Sequence, residues 1–134
     1  MASITGGHLV GKYLSEVEKI NTVFGISGGH IEGILDSFTE YGIRIVDVRH
    51  EQAAAMMAHA WSIYNNAPGV CLVTAGPGFT NALTGIVNAY LDNAPLVVIS
   101  GRHPIRDDLH YARKGVGKSR PCRHQAYSRG VVVY

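Results

Sequence analysis

Gly69-Val70-Cys71-Leu72-Val73-Thr74-Ala75-Gly76-Pro77-Gly78-Phe79-Thr80-Asn81 decides how the chain folds. Gly69 to Thr74 opens with an apolar run that has no polar alternation, which suits a strand covered on both faces. Ala75-Gly76-Pro77-Gly78 then turns the backbone, and a helix is predicted from about Phe79 to Leu91. Pro95 to Ser100 is a second strand of the same kind, built on Leu96-Val97-Val98-Ile99.

Working back toward the amino terminus, the same alternation recurs. His50 to about Tyr64 reads as a helix, Ile43 to Val48 as a strand, and Ile31 to Tyr41 as a helix carrying Ile34, Leu35 and Phe38 at helical spacing. Thr22 to Ile26 is a short strand, and Leu9, Val10, Tyr13, Leu14, Val17 and Ile20 mark an amphipathic helix before it. Helix and strand alternate four times. Doubly covered strands joined by helices form a parallel sheet layered between helices, and every strand-to-helix loop then falls on one edge. Ligands of open α/β sheets lie at that carboxyl edge. Ser27 to His30, Arg49 to Glu51, Gly76 to Gly78 and Arg102 to Pro104 are therefore expected to converge. Val131 to Tyr134 could add an edge strand.

The chain of 134 residues, 46% apolar, suffices for one core of ordinary size. No apolar run approaches a membrane span, and Met1 to His8 lacks the blocks of a signal peptide, so a cytoplasmic protein without membrane contact is expected. Cys71 and Cys122 offer neither a metal spacing nor a disulfide framework. The net charge of +2 conceals a division: residues 1–101 hold four Lys/Arg against eight Asp/Glu, a balance of −4, whereas residues 102–134 hold eight against two, a balance of +6. The basic tail comes with few aromatics and no recognition motif, and nucleic acid is not an expected partner.

Glu51 sits just past a strand end, in the first turn of a helix. A carboxylate there is stabilised by the helix dipole and needs no further reason. The alanines that follow, Ala53, Ala54 and Ala55, predict a largely buried helix and a partly desolvated Glu51 able to share a proton with a ligand nitrogen. Gly76-Pro77-Gly78 with Asn81 offers glycine-floored access for a flat ring or an anion. Ser27-Gly28-Gly29-His30 is a tight turn or a backbone platform with a reachable imidazole. Neither the dinucleotide fingerprint nor a P-loop nor a nucleophile elbow is present.

Five segments in order, Ile4-Thr5-Gly6-Gly7, Phe24 to His30, Val48 to Ala54, Thr74 to Asn81 and Pro95 to Gly101, resemble the amino-terminal, pyrimidine-binding domain of acetolactate-synthase-like thiamine-diphosphate enzymes. The resemblance implies thiamine diphosphate as cofactor and a role in a 2-oxo acid lyase, decarboxylase or carboligase. It implies that Glu51 matches the glutamate that hydrogen-bonds the aminopyrimidine nitrogen N1′ and so activates the cofactor. Gly76, Pro77, Gly78 and Asn81 resemble the loop lining the pyrimidine, Gly28 and Gly29 a loop near the reaction centre, and His30 an active-site histidine of some branches. Ser27 stands where many relatives carry proline. The expected fold is three-layered, with a parallel sheet of four to five strands, incomplete relative to the family domain. The domain is expected at 1–104, with 105–134 a basic tail unlike the family. The family's diphosphate- and magnesium-binding domain is absent, so half a site is expected. Its completion would come from a homo-oligomer or from a partner chain carrying that domain, and magnesium is expected only there. The rival expectations are a non-catalytic module dimerising through the alanine-rich helix, or a truncated inactive product.

Overall fold

The computed structural model describes residues 4–102 and the backbone of residues 132–133. Arg102 is thus the last described residue of the expected Arg102–Pro104 loop, and most of the basic tail, Cys122 included, lies outside the described residues. The element order is α1 (Gly6–Lys12), a π-helical turn (Tyr13–Val17), β1 (Thr22–Gly25), α2 (Glu32–Glu40), β2 (Arg44–Asp47), α3 (Glu51–Asn65), β3 (Gly69–Val73), α4 (Pro77–Leu91), β4 (Leu96–Ser100) and β5 (Val132–Val133). The strands lie in the order β2-β1-β3-β4-β5. The first four are mutually parallel, with Phe24 opposite Cys71 and Cys71 opposite Val98, and β5 closes the edge antiparallel to β4. The edge strand expected at Val131 to Tyr134 is present as two residues.

The strands at the centre bury both faces because successive side chains point to opposite sides and both sides are apolar. Phe24, Cys71, Val73, Leu96 and Val98 meet Ala54, Ala55 and Ala58 of α3 and Ala82, Ile86 and Ala89 of α4. On the other face Val23, Val70, Leu72 and Ile99 meet Leu14, Ile31 and Phe38. Three layers result, with α1 and α2 on one side and α3 and α4 on the other. β2 departs from this pattern: Arg44 and Asp47 are exposed and Ile45 and Val46 half-buried, as an edge position allows.

Helix α1 is shorter than its periodicity predicts. It starts where Thr5 Oγ1 accepts from the His8 amide at 3.3 Å. After Lys12 the backbone widens, with Glu18 N donating to Tyr13 O at 3.1 Å, five residues back. Helix α3 is buried along one stripe only, Ala54, Ala55, Ala58, His59 and Ser62, while Met56, Met57, Ile63 and Tyr64 face outward. The largely buried helix expected from its alanines is corrected accordingly: small residues let α3 sit close to its neighbours without enclosing it. The closest approach to α4 is at Gly85, where a Cβ would stand 2.6 Å from Ala55 Cβ. Among the described residues no helix is long and apolar enough to cross a membrane.

Candidate functional site

The chain leaves β1 toward β2 on one side and later leaves β3 toward β4 on the other, so the loops after β1 and β3 part and open a crevice at their carboxyl ends. Glu51 enters it as the first residue of α3, held there by the cap before it. His50 is extended, and its Nδ1 accepts from the Gln52 amide at 3.1 Å, which gives that histidine a structural task. Glu51 is half-buried. From across the crevice, in the first turn of α4, Asn81 Nδ2 donates to Glu51 Oε2 at 3.0 Å. Two residues thirty positions apart in sequence thus share one hydrogen bond, which restrains the carboxylate.

The other oxygen, Oε1, lies near Gly78. A Cβ on Gly78 would stand 3.6 Å from Glu51 Oε1, an ordinary contact, but 2.8 Å from Thr74 Cγ2, so it is Thr74 that keeps position 78 without a side chain. The turn that delivers Gly78 depends on Gly76, whose φ of 66° and ψ of −117° suit only glycine. Pro77 follows as the first residue of α4, its ring presetting the helical φ. The N–H groups of Phe79 and Thr80 donate back to Gly76 O at 3.1 and 3.2 Å.

The loop after β1 joins the same cluster through Thr74. Ile31 N donates to Gly28 O at 2.9 Å, closing a tight turn, and a Cβ on Gly28 would meet Thr74 Cβ and Oγ1 at 2.6 Å. His30 is exposed, with its Nδ1 3.5 Å from Thr74 Oγ1. Gly29 faces open space. The geometry therefore brings Glu51, Gly76, Pro77, Gly78 and Asn81 into one constellation and links Gly28 and His30 to it by way of Thr74. Thr74 itself carried no sequence signal as a site residue: a threonine ending an apolar strand has no pattern of its own, and only the two facing glycines show its place.

The charge of Glu51 is felt beneath the site. Burial first, and then the negative charge of Glu51, pushes the Cys71 thiol from 9.0 up to about 12. This buried thiol is therefore inert as a nucleophile. His59, which sequence reasoning passed over, is buried between α3 and α4. Its Nδ1 lies 3.4 Å from Asn88 Nδ2, and its Nε2 stands 3.2 Å from Asp92 Oδ2, at ion-pair distance but without hydrogen-bond alignment. It belongs to the helix packing, away from the crevice. An apolar hollow of about 490 Å³ lies at the amino ends of β3 and β4, between Pro68, Pro95 and the α1 side chains, on the opposite edge from Glu51. Among the described residues no group of three or more His, Cys, Asp or Glu could hold a metal ion.

A half-buried carboxylate with one oxygen engaged by an amide and the other beneath a glycine floor can share a proton with a flat nitrogen ring. Residues 4–120 match the family model described as thiamine pyrophosphate enzyme, N-terminal TPP binding domain, a match that continues past residue 104. The chain is 46% identical over 98 residues, 73% of its length, to an acetolactate synthase large subunit of Mycobacterium tuberculosis, of which this covers 18%. It is 46% identical over 103 residues, 76% of its length, to acetolactate synthase isozyme 3 large subunit of Escherichia coli, again 18% of that protein. It is 41% identical over 99 residues, 74% of its length, to 2-hydroxyacyl-CoA lyase 2 of Caenorhabditis elegans, 15% of that protein. The chain thus spans less than a quarter of the curated relatives it matches. With the crevice, its carboxylate and these likenesses together, the chain belongs to the thiamine pyrophosphate enzymes, as their N-terminal TPP-binding domain.

Proposed function

We propose that this chain supplies the aminopyrimidine-binding half of an acetolactate-synthase-like lyase or carboligase acting on 2-oxo acids. The observation that carries the reading is the contact of Asn81 with Glu51 Oε2 at 3.0 Å, beside Gly78, which we read as leaving Oε1 for a ring nitrogen. A planar aminopyrimidine fits such a place, since a ring edge can approach a carboxylate across glycine but not across a side chain. Glu51 would hold a proton at Oε1 for the ring nitrogen, Asn81 would keep the carboxylate from turning, and the Gly76–Gly78 and Gly28–Gly29 segments would admit the ring. His30, exposed at the mouth, would face the reacting carbonyl compound. Thiamine diphosphate, when bound, supplies the electron sink for carbon–carbon bond making and breaking.

The diphosphate and its magnesium need groups that the described residues do not include, so we assign them to a second domain on a partner chain or a second subunit. The outer sides of α3 and α4 suit that docking: Met56, Met57, Ile63, Leu83, Val87 and Leu91 are all exposed there. We also place the protein in a reducing, cytoplasmic setting, in keeping with its free thiol at Cys71. Family membership favours this reading over a purely structural dimerising module.

Calorimetry with thiamine diphosphate and magnesium tests the proposal. The chain alone is expected to bind weakly and without dependence on magnesium. In the presence of a chain carrying the diphosphate-binding domain, binding becomes tight, and Glu51→Gln lowers turnover by at least about 100-fold, the scale on which a positioned proton-transfer group contributes. Tight magnesium-dependent binding by the chain alone would contradict the half-site, and undiminished turnover in Glu51→Gln would remove that residue from its role.

A further inference from the structure

We propose that His50 is a positioning residue for Glu51 whose hold depends on a proton: it caps α3 only while its Nδ1 is bare, and taking up a proton there releases the first turn of the helix that carries the carboxylate. The consequence for chemistry rests on the reading of Glu51 as the group that serves a ring nitrogen, whereas the test reads the free chain.

His50 is extended, with φ of −157° and ψ of 139°, and stands as the N-cap of α3. The amides at a helix start have no partner within the helix and must find one outside it. Ala53 and Ala54 donate to His50 O at 3.0 and 3.3 Å. Gln52 N donates to His50 Nδ1 at 3.1 Å, and no other acceptor receives it among the described residues. A backbone N–H can only donate. The bond therefore admits a single state of the ring, with Nδ1 unprotonated and the proton on Nε2.

Protonation makes both ring nitrogens donors. The Gln52 amide then loses its acceptor, and a positive charge comes to lie at the helix end where the dipole favours a negative one. His50 is exposed, so solvent supplies the proton without any opening of the fold. The backbone before it is fixed, since Val48 is buried and its N donates to Gly25 O at 3.1 Å. The cap is thus the joint at which the start of α3 can yield, and Asn81 Nδ2, donating to Glu51 Oε2 at 3.0 Å, senses that joint from across the crevice. Of the charged groups nearby, Arg49 and Glu51 flank His50 in the chain and Asp47 ends β2. Of the elements packed on α3, β1 and β4 carry no titratable side chain, β3 carries only Cys71, and the first turn of α4 carries none; His30 lies on the loop after β1. Among the described residues none of these forms an ion pair with His50.

The experiment follows ¹⁵N–¹H spectra of the uniformly labelled full chain over about pH 8.5 to 5, the range in which imidazoles gain their proton. The His50 ring is assigned by its loss in His50→Asn. In the unsubstituted chain the Gln52 amide proton is expected to move upfield along the titration curve of the His50 ring, as an amide does on losing its acceptor. The Asn81 side-chain amide is expected to shift along the same curve. Asparagine caps through an oxygen that accepts throughout this range, so both responses should vanish in His50→Asn, whereas a response caused by any other titrating group would persist there. His50→Ser, a second oxygen cap, answers the same question should the asparagine variant fold poorly. A Gln52 amide that stays in place while the His50 ring titrates, or that responds equally in His50→Asn, would overturn the cap. An Asn81 amide that ignores the His50 curve would overturn the positioning of Glu51. Both readouts come from the free chain, so a failed cofactor-binding experiment bears on the role of Glu51 and leaves them unchanged.

Discussion

Cys71 shows how far a single charge reaches in this fold. Its thiol lies in the apolar layer under α3, and burial together with the Glu51 carboxylate pushes it up to about 12. The sign of the consequence follows from proton counting. Above about pH 9 the unfolded chain releases the thiol proton while the folded chain retains it, so the folded state binds more protons and stability falls as pH rises toward 12. Melting temperatures of the native chain should decline between pH 8 and 11 more steeply than those of Cys71→Ala; parallel declines would show that the thiol contributes nothing. At this same scale, Glu51 and Asn81 were legible because a strand end followed by a helix start gives a residue an address. Thr74 was not legible, because its role depends on two glycines that approach it from distant parts of the chain. The burial of His59 was not legible either: it depends on which stripe of the helix faces the neighbour, and the apolar stripe of α3 is too diffuse to say.

Among the elements, the parallel strands and their order of appearance were legible from uninterrupted apolar runs such as Leu96-Val97-Val98-Ile99. The strand neighbours were not, since β1 pairs with both β2 and β3 and no local pattern encodes that choice. The expected large burial of α3 is met within this chain only along one stripe, because alanine serves two purposes, filling a core and thinning a helix face. Helix α2 is the clearest case of an element fixed by packing. Its Phe38 is fully buried against the sheet, among Val23, Ile31, Ile43 and Leu72. Phe38→Ala should cost about 3–5 kcal/mol, the usual range for emptying an aromatic from a core. Urea unfolding would read this as a lower midpoint with an unchanged slope; a loss below about 1 kcal/mol would mean that α2 is loosely seated.

At the scale of the whole molecule, the four parallel strands belong to the acidic part of the chain, and only the two-residue β5 comes from the basic part. In the curated relatives more than three quarters of the length lies outside the segment this chain matches. On the proposed reading the chain would supply one wall of a cleft, and the orientation of that wall would depend on how α3 and α4 sit against each other. Gly85 governs that seat, since a Cβ there would stand 2.6 Å from Ala55 Cβ and 3.0 Å from Met56 N. Gly85→Ala should push the helices apart at a cost of about 1–3 kcal/mol, and it should weaken cofactor binding in the assembled enzyme although residue 85 is a turn removed from Asn81. Retained affinity in calorimetry would show that the seat is slack. The reason for expecting a loss is geometric. With Glu51 tethered to Asn81 on α4, the roll of that helix about its own axis would be the dial that sets how the proposed carboxylate meets a ring.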